Sequence, residues 1–283
     1  MNVGFRKNFR KAISQCTGNI IFLCDQDDIW MKNKVEKMVY VFENNHQVMT
    51  LISDFKTINS TGEFLQPNKA LENIVVSKRV MDSKCDLEKI KIYEAFPHSQ
   101  GQGCTMAITY EVANLYLKCE LNWAHDNLVG LIAAFQGGLF YMKEQLIYYR
   151  IHENNTIGMP LGKWGDRKCN IKDKLLIFLS VCKYCFIKKT AEECKAEIYN
   201  KEGNLYEEIE RVVGCAESEN EDLHRWRKFE KLRLDAIKNR KLYKYLLLRI
   251  KYREFFKLEV PICTFEQQIV RLMLDLGAIL KSK

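Results

Sequence analysis

The chain has 283 residues, 47% of them hydrophobic and 28% charged, with a formal net charge of +8. That balance excludes a disordered or fibrous chain and fits one large domain or a domain with an appendage. The eleven cysteines form no even framework of short spacings, and a chain of this length needs no covalent staples, so they read as reduced thiols of a cytoplasmic protein.

The first element is a helix with Phe5, Phe9, Ala12, Ile13 and Cys16 on one face. No signal peptide is expected, because the first apolar run ends in acid and not in a small-residue cleavage site. That run opens the segment Ile20-Ile-Phe-Leu-Cys-Asp-Gln-Asp-Asp-Ile-Trp30. Its length and content suit a buried strand over 20–24. Asp25, Asp27 and Asp28 would then stand at the strand's carboxyl end, where open α/β sheets bind ligands. Two readings compete. Crowded carboxylates repel one another and suit a hard divalent ion, Mg²⁺ or Mn²⁺, which in turn holds phosphates; alternatively they form a solvated acidic turn leading into a helix. Val35, Met38, Val39 and Phe42 make a second helix, Val48 to Ser53 a second strand, and Asn59 to Gly62 a turn. The alternation argues α/β.

A second constellation occupies 123–158. Trp123-Ala-His-Asp-Asn127 precedes a helical face of Leu128, Leu131, Ile132 and Phe135, followed by Gly137-Gly138, a short strand from Leu139 to Met142, and Tyr148-Tyr-Arg-Ile-His-Glu-Asn-Asn155. Asp126 lies immediately before the helix, where an N-cap alone would justify it. Arg150 and His152 alternate along an extended segment and so share a side. A guanidinium and an imidazole facing one way can grip a diphosphate or complete a metal shell; they can equally be an exposed polar sheet edge.

Charge divides the chain. Residues 1–159 hold 17 bases and 17 acids, so the whole excess falls in 160–283, where 27 bases face 19 acids. Beyond Gly158-Met-Pro160-Leu-Gly162 the pattern is helical, ending with Phe265, Ile269, Leu272, Met273, Leu276 and Leu280 at helix spacing. Cys182 and Cys185 sit in an apolar helical run, where buried thiols are the expectation and zinc is not. No apolar stretch approaches the ~20 residues of a spanning helix. From Lys201 to Asp222 eight acids face two bases, and from His224 to Lys257 thirteen bases face three acids. Such segregation reads either as two mutually attracting helical faces or as peripheral attachment of 224–257 to an anionic membrane, with Trp226, Tyr243, Tyr245, Phe255 and Phe256 beside the bases. No nucleic-acid-binding signature is present, and no nucleic-acid partner is expected.

The series GFRKNF, CDQDDIW with Lys34 four residues past the Trp, GCTM at 103–106, WAHD and YYRIHENNTIG resembles family 2 glycosyltransferases of the GT-A fold, in the bacterial rhamnosyltransferase-like branch. The resemblance spans residues 2 to about 158. It implies a partial GT-A, Rossmann-like sheet with flanking helices over 1–158 and a helical, basic region over 159–283. It also implies inverting, metal-dependent transfer of a sugar such as rhamnose from a nucleotide-sugar to a glycan or lipid-linked acceptor. By the same resemblance Asp25 and Asp27 form the DxD motif that holds the donor and a Mn²⁺ or Mg²⁺ ion; His152, on the chemistry of its imidazole, would be a further metal ligand. The resemblance also implies that Gly103, Cys104 and Thr105 pass beneath the donor sugar, that Asp126 is the general base, and that His125, with Trp123 beside it, belongs to the acceptor site; Arg150 would meet the diphosphate on the chemistry of its guanidinium. A hydrolase with paired carboxylates, Asp27 or Asp28 with Asp126, is the nearest rival enzyme, but it gives no reason for three acids at one strand end.

Enzymes of this family begin with two βα units that build the nucleotide pocket, whereas this sequence opens at the stretch that follows them. The expectation is therefore a chain impaired on its own, which a separately encoded N-terminal fragment or self-association would complete. A catalytically inactive remnant, or a membrane-surface or partner-binding module on the same scaffold, is the alternative.

Overall fold

The structure is a computed structural model that describes residues 3–65, 80, 83–95, 101–152, 192–194, 204–214, 221–256 and 265–280. The CxxC at Cys182 and the boundary at 158–162 lie outside them. Contacts divide the chain into two units, Met1–Asp166 with Ile209–Glu217, and Arg167–Glu208 with Ser218–Lys283.

The first unit is mixed α/β, as the alternation predicts. Its helices are α1 (Phe5–Ser14), α2 (Lys34–Asn44), the short α3 (Ile92–Ala95), α4 (Tyr110–Lys118) and α5 (His125–Phe135). Its strands are β1 (Ile20–Phe22), β2 (Ile29–Trp30), β3 (Thr50–Ile58), β4 (Leu87–Lys89), β5 (Met106–Thr109) and β6 (Leu139–Arg150). They form one sheet in the order β1-β5-β3-β6-β2, with β4 also on β6. Only β3 and β6 run parallel among the described pairs. Leu51, Ile52, Met106, Ala107, Ile108, Leu139, Leu146 and Ile147 are buried at the sheet's centre, with Met38 and Phe42 of α2 over them. Burial of that apolar area is the main favourable term for the unit.

Three sequence expectations shift here. β1 is an edge strand paired antiparallel to β5 alone among the described residues, and only Ile21 of its three residues is buried; a run of apolar residues does not distinguish an edge from a centre. The acids do not lead directly into a helix, because β2 intervenes and pairs with β6. The short strand at 139–142 and the extended 148–150 are one twelve-residue strand. It starts where Gly137 takes φ +69 and Gly138 lets Met49 close in, since a Cβ there would stand 2.4 Å from Met49 Cγ.

After β6 the next described helix with a full range is α6 (Asn204–Val213); the second unit contains α7 (Glu221–Lys238), α8 (Leu242–Lys251), α9 (Arg253–Phe256) and α10 (Phe265–Leu280), with α7, α8 and α10 packed on one another. At their centre the fully buried Arg233 makes a bidentate pair with Asp275 (2.9 and 2.7 Å) and reaches Glu230 at 3.1 Å, while the Tyr245 hydroxyl donates to Asp275 at 2.9 Å. Cation and carboxylates are thus mutually satisfied, which is the condition for burying them. Trp226, Tyr245 and Phe255, read above as companions of a basic surface, are instead core residues, each at most 3% exposed. No helix among the described residues is long and apolar enough to cross a membrane.

Candidate functional site

The acids occupy a tight loop. β1 ends at Phe22, the chain turns at Gln26 and Asp27, and β2 begins at Ile29. Because β2 pairs Ile29 with Tyr148 and Trp30 with Ile147, the loop is laid against the far end of β6, which carries Arg150 and leads to His152. The register explains the contacts that follow. Asp28 Oδ1 accepts the Arg150 backbone N–H at 2.8 Å, and the Arg150 side chain donates from Nε to the Asp27 carbonyl (2.8 Å) and from Nη1 to the carbonyls of Asn59 (3.0 Å) and Ser60 (3.1 Å). The guanidinium is therefore a clasp between the acid loop and the turn at 59–62. That turn is shaped by Asn59, whose Oδ1 accepts the N–H of Thr61 and Glu63, and by Gly62 at φ +90. His152 Nε2 meets Asp27 Oδ2 at 2.8 Å, with both side chains about a quarter exposed. Arg150 and His152 do converge on one place, and that place is Asp27.

A second segment closes the site from below. Gly103–Thr105 forms a single 3₁₀ turn, fully buried. The Thr105 hydroxyl donates to the Gln102 carbonyl, and the Ser53 hydroxyl donates to the Thr105 carbonyl. Lys34, completely buried at the start of α2, donates from Nζ to the Cys104 carbonyl at 2.6 Å and lies 4.4 Å from the Trp30 ring centroid. Burial pulls the Lys34 ammonium down to a pKa of about 8. The Cys104 thiol is buried beside Asp28, and the ligand atoms of Asp25, Asp28 and Cys104 lie within 4.8 Å of one another. Burial, and then the negative charge of Asp28, push the Cys104 thiol well up, so it stays protonated at neutral pH. Asp28 Oδ2 is buried with no hydrogen-bond partner among the described residues.

Asp126 arrives from a third segment. It sits in the first turn of α5, one residue inside the helix, and its Oδ1 accepts the Asn127 N–H at 2.7 Å. The cap position belongs to Ala124, which offers no side-chain acceptor, so the expected N-cap role is not the one Asp126 plays. A carboxylate in the first turn is still favoured by the helix dipole. The stretch that delivers it is pinned by α1: Arg10 Nη2 donates to the carbonyls of Leu117 (2.7 Å) and Cys119 (2.6 Å), and Arg6 Nη1 to that of Asn122 (2.8 Å). Trp123 is half-buried on that stretch.

His125, expected beside an acceptor, is instead buried at 5% exposure. Its ring stacks on Phe9 with centroids 3.5 Å apart and Phe5 against its edge. Neither ring nitrogen has a hydrogen-bond partner among the described residues, and burial lowers its pKa, opposed by the neighbouring Asp126. Its other neighbour is Gly103, where a Cβ would stand 2.7 Å from His125 Nε2 and 3.6 Å from Asp126 Cβ. The 3₁₀ turn and the first turn of α5 thus touch at that glycine.

The electrostatics tie the segments together. Asp25 is pushed up to a pKa of about 6, first by burial and then by repulsion from Asp28, Asp27 and Asp126. Asp126, from a remote stretch of sequence, thus stands within electrostatic reach of the acid loop, where a divalent cation would relieve the repulsion. Two donor sets are available. Asp25 with Asp28 includes a protonated thiol and an oxygen already used by the Arg150 amide. Asp27 with His152 offers a carboxylate and an imidazole already side by side and partly open to solvent, a set that suits Mn²⁺ better than Mg²⁺. Sequence reasoning missed two participants. Tyr149 is buried next to Phe55 with its hydroxyl pKa raised by burial and by Cys104 and Asp28, and Phe9 forms the floor under His125. Tyr149 alternates with Arg150 and was signalled by strand period; Phe9 reads only as part of the apolar face of α1, with nothing local to show that His125 would stack on it.

Residues 1–98 match the family model for glycosyl transferase family 2. That interval contains the acid loop and ends before Gly103 and Asp126. Over 162 residues the chain is 25% identical to an uncharacterized glycosyltransferase of the cyanobacterium Nostoc sp., an alignment covering 55% of this chain and 46% of that protein. The chain therefore spans less than half the length of that curated relative. Both likenesses support glycosyl transfer as the class of function.

Proposed function

We propose that the region 1–158 is a GT-A glycosyltransferase domain that moves a sugar from a nucleotide-sugar to a glycan or lipid-linked acceptor with inversion at the anomeric carbon, and that 159–283 is a separate helical region. The supporting observation is that Asp126 and the acid loop meet at the 103–105 turn: a Cβ on Gly103 would stand 3.6 Å from Asp126 Cβ, and the thiol of the next residue, Cys104, lies within 4.8 Å of the carboxylates of Asp25 and Asp28. An inverting displacement needs two things at one place, a means of neutralising the departing diphosphate and a base for the acceptor hydroxyl.

Asp27 and His152, with Asp25 adjacent, are the residues that would hold a divalent ion. Bound there, the ion supplies positive charge to the departing diphosphate. Arg150 fixes the loop through three backbone carbonyls, so its role in this reading is to position Asp27. The 103–105 turn forms the floor below the sugar, and Lys34 anchors that floor. Asp126 accepts the acceptor hydroxyl proton as the oxygen attacks the anomeric carbon and the bond to the diphosphate breaks. His125 and Trp123 support the acceptor side, His125 from beneath the surface. Rhamnose is the donor sugar that the branch resemblance favours.

The test is transfer from a panel of nucleoside-diphosphate sugars, rhamnose donors included, to extracted envelope lipids and glycans. Asp126→Asn is expected to lower transfer by about two orders of magnitude or more while the melting temperature stays near that of the parent chain. Transfer surviving within a few-fold would remove Asp126 from the chemistry.

A further inference from the structure

α8 has two apolar faces. Tyr245 and Leu248, with Tyr252 just beyond the helix, are buried against α7 and α10 at 0%, 8% and 3% exposure, as a bundle helix requires. Tyr243, Leu246, Leu247 and Ile250 are exposed at 64%, 48%, 61% and 76%. At roughly 100° per residue these four fall within a stripe about 100° wide, diametrically opposite the buried face. Isolated exposed apolar residues need no explanation, but four on one stripe of a ten-residue helix are a patch.

The charge around the patch is of one sign. From Ala236 to Arg253 the chain carries Lys238, Arg240, Lys241, Lys244, Arg249, Lys251 and Arg253 and no acid. By the same geometry Lys244 and Lys251 flank one side of the stripe and Arg249 the other. Of the acids nearby whose side chains are described, Asp235 lies 4.0 Å from Lys241, and Glu230 and Asp275 are buried on Arg233.

We propose that this face of α8 is a docking surface for an anionic lipid bilayer, lying in the plane of the interface with Tyr243, Leu246, Leu247 and Ile250 inserted below the headgroups and Lys244 and Lys251 at headgroup level. An apolar stripe bordered by bases is the pattern of interfacial helices, and attraction to anionic lipid adds to the burial of the stripe. A second copy of the chain fits less well, because pairing the stripes would bring like-charged flanks together. Nucleic acid fits less well again, because the centre of the face is apolar where a phosphate backbone needs cations. The surface lies outside the transferase unit and does not depend on its assignment.

The experiment is flotation of the full 283-residue chain with vesicles of pure phosphatidylcholine and of phosphatidylcholine with phosphatidylglycerol, at low and high salt. Binding is expected to the anionic vesicles, weakened by salt and weak on phosphatidylcholine alone. Leu247→Glu with Ile250→Glu is expected to lower the affinity about tenfold or more, and Lys244→Gln with Lys251→Gln to lower it and flatten its salt dependence. Circular dichroism and melting temperature should be unchanged in both, since all four side chains point away from the bundle core. Absence of binding by the parent chain, or binding indifferent to Leu247→Glu with Ile250→Glu, overturns the proposal. So does sedimentation showing a dimer that the same two substitutions dissociate, which would make the face a self-association surface.

Discussion

His152 Nε2 lies 2.8 Å from Asp27 Oδ2, so the residue that follows β6 by two positions closes onto the turn of the acid loop. Neither side chain is buried enough to be a core pair, and each can rotate toward a shared ligand. A carboxylate with an imidazole favours Mn²⁺ over Mg²⁺. Mn²⁺ with a nucleoside diphosphate should therefore raise the melting temperature more than Mg²⁺ does, and His152→Ala should weaken the Mn²⁺ effect on the order of tenfold or more in concentration. The increment should grow as pH rises through about 6, where Asp25 loses its proton and the site gains a negative charge. Differential scanning fluorimetry across metal concentration and pH reads both effects. Equal responses to the two ions, unchanged in the alanine variant, would remove His152 from the site.

Asp28 behaves differently from its neighbours because its Oδ1 serves the Arg150 amide. Asp28→Ala leaves that donor unpaired and should cost about 1–3 kcal/mol of stability, while the Mn²⁺ increment persists. Chemical denaturation of the variant measures the first, and fluorimetry with and without the ion the second. An Asp28→Ala chain of normal stability that no longer responds to metal would make Asp25 with Asp28 the ion site.

Gly103 and His125 should be energetically coupled. Gly103→Ala places a methyl 2.7 Å from His125 Nε2, and the ring cannot retreat because Phe9 is stacked behind it. The single substitution should cost about 1–3 kcal/mol. In the background His125→Ala the same change should cost markedly less, giving a coupling of about 1 kcal/mol or more in a double-mutant cycle. Additive effects would show that the two segments do not meet as described.

Lys34 gives a pH signature. Its pKa is lowered from 10.5 to about 8 on folding, so between those values the unfolded chain binds more protons than the folded one and stability contributed by this group rises with pH. Below about 8 the cost of burying the charge is fully present, on the order of 3 kcal/mol at most. Buried tyrosines such as Tyr116 and the Cys104 thiol, whose pKa values are raised, act in the opposite direction at alkaline pH, so the group must be isolated by difference. The stability of the parent chain minus that of Lys34→Met should increase from about pH 8 toward 10 as the ammonium deprotonates. A difference that does not change over that range would mean that Lys34 is not held in a poorly solvated place.

Much of this arrangement was legible in the chain. The clustered acids after an apolar run, the Arg150 and His152 alternation and the Asn59 turn each have a local cause, and each is found where the pattern put it. What failed was non-local. Whether Ile20–Phe22 is central or on an edge depends on which strands pair with it, and β5, its partner, lies more than eighty residues on. The burial of His125 comes from Phe9 on a different helix, and that of Tyr245 from Arg233 and Asp275. Asp126 reads as the residue before the helix, but the cap lies two residues earlier, at Ala124, which has no capping side chain, and α5 begins at His125. The membrane reading of 224–257 names Tyr243 but not Leu246, Leu247 and Ile250, because which apolar residues of α8 face outward shows only once Tyr245 and Leu248 are seen to occupy the inward face.

The central claim is that the loop of Asp25, Asp27 and Asp28 binds the diphosphate of a nucleotide-sugar through a divalent ion. Isothermal titration of nucleoside diphosphates into the chain, with Mn²⁺ and with a chelator, measures it most directly. The account predicts saturable binding that requires Mn²⁺ and disappears in Asp27→Asn, a variant that keeps the shape of the loop and the Arg150 contact to the Asp27 carbonyl. Binding indifferent to Mn²⁺, binding undiminished by Asp27→Asn, or no binding of any nucleoside diphosphate would contradict it.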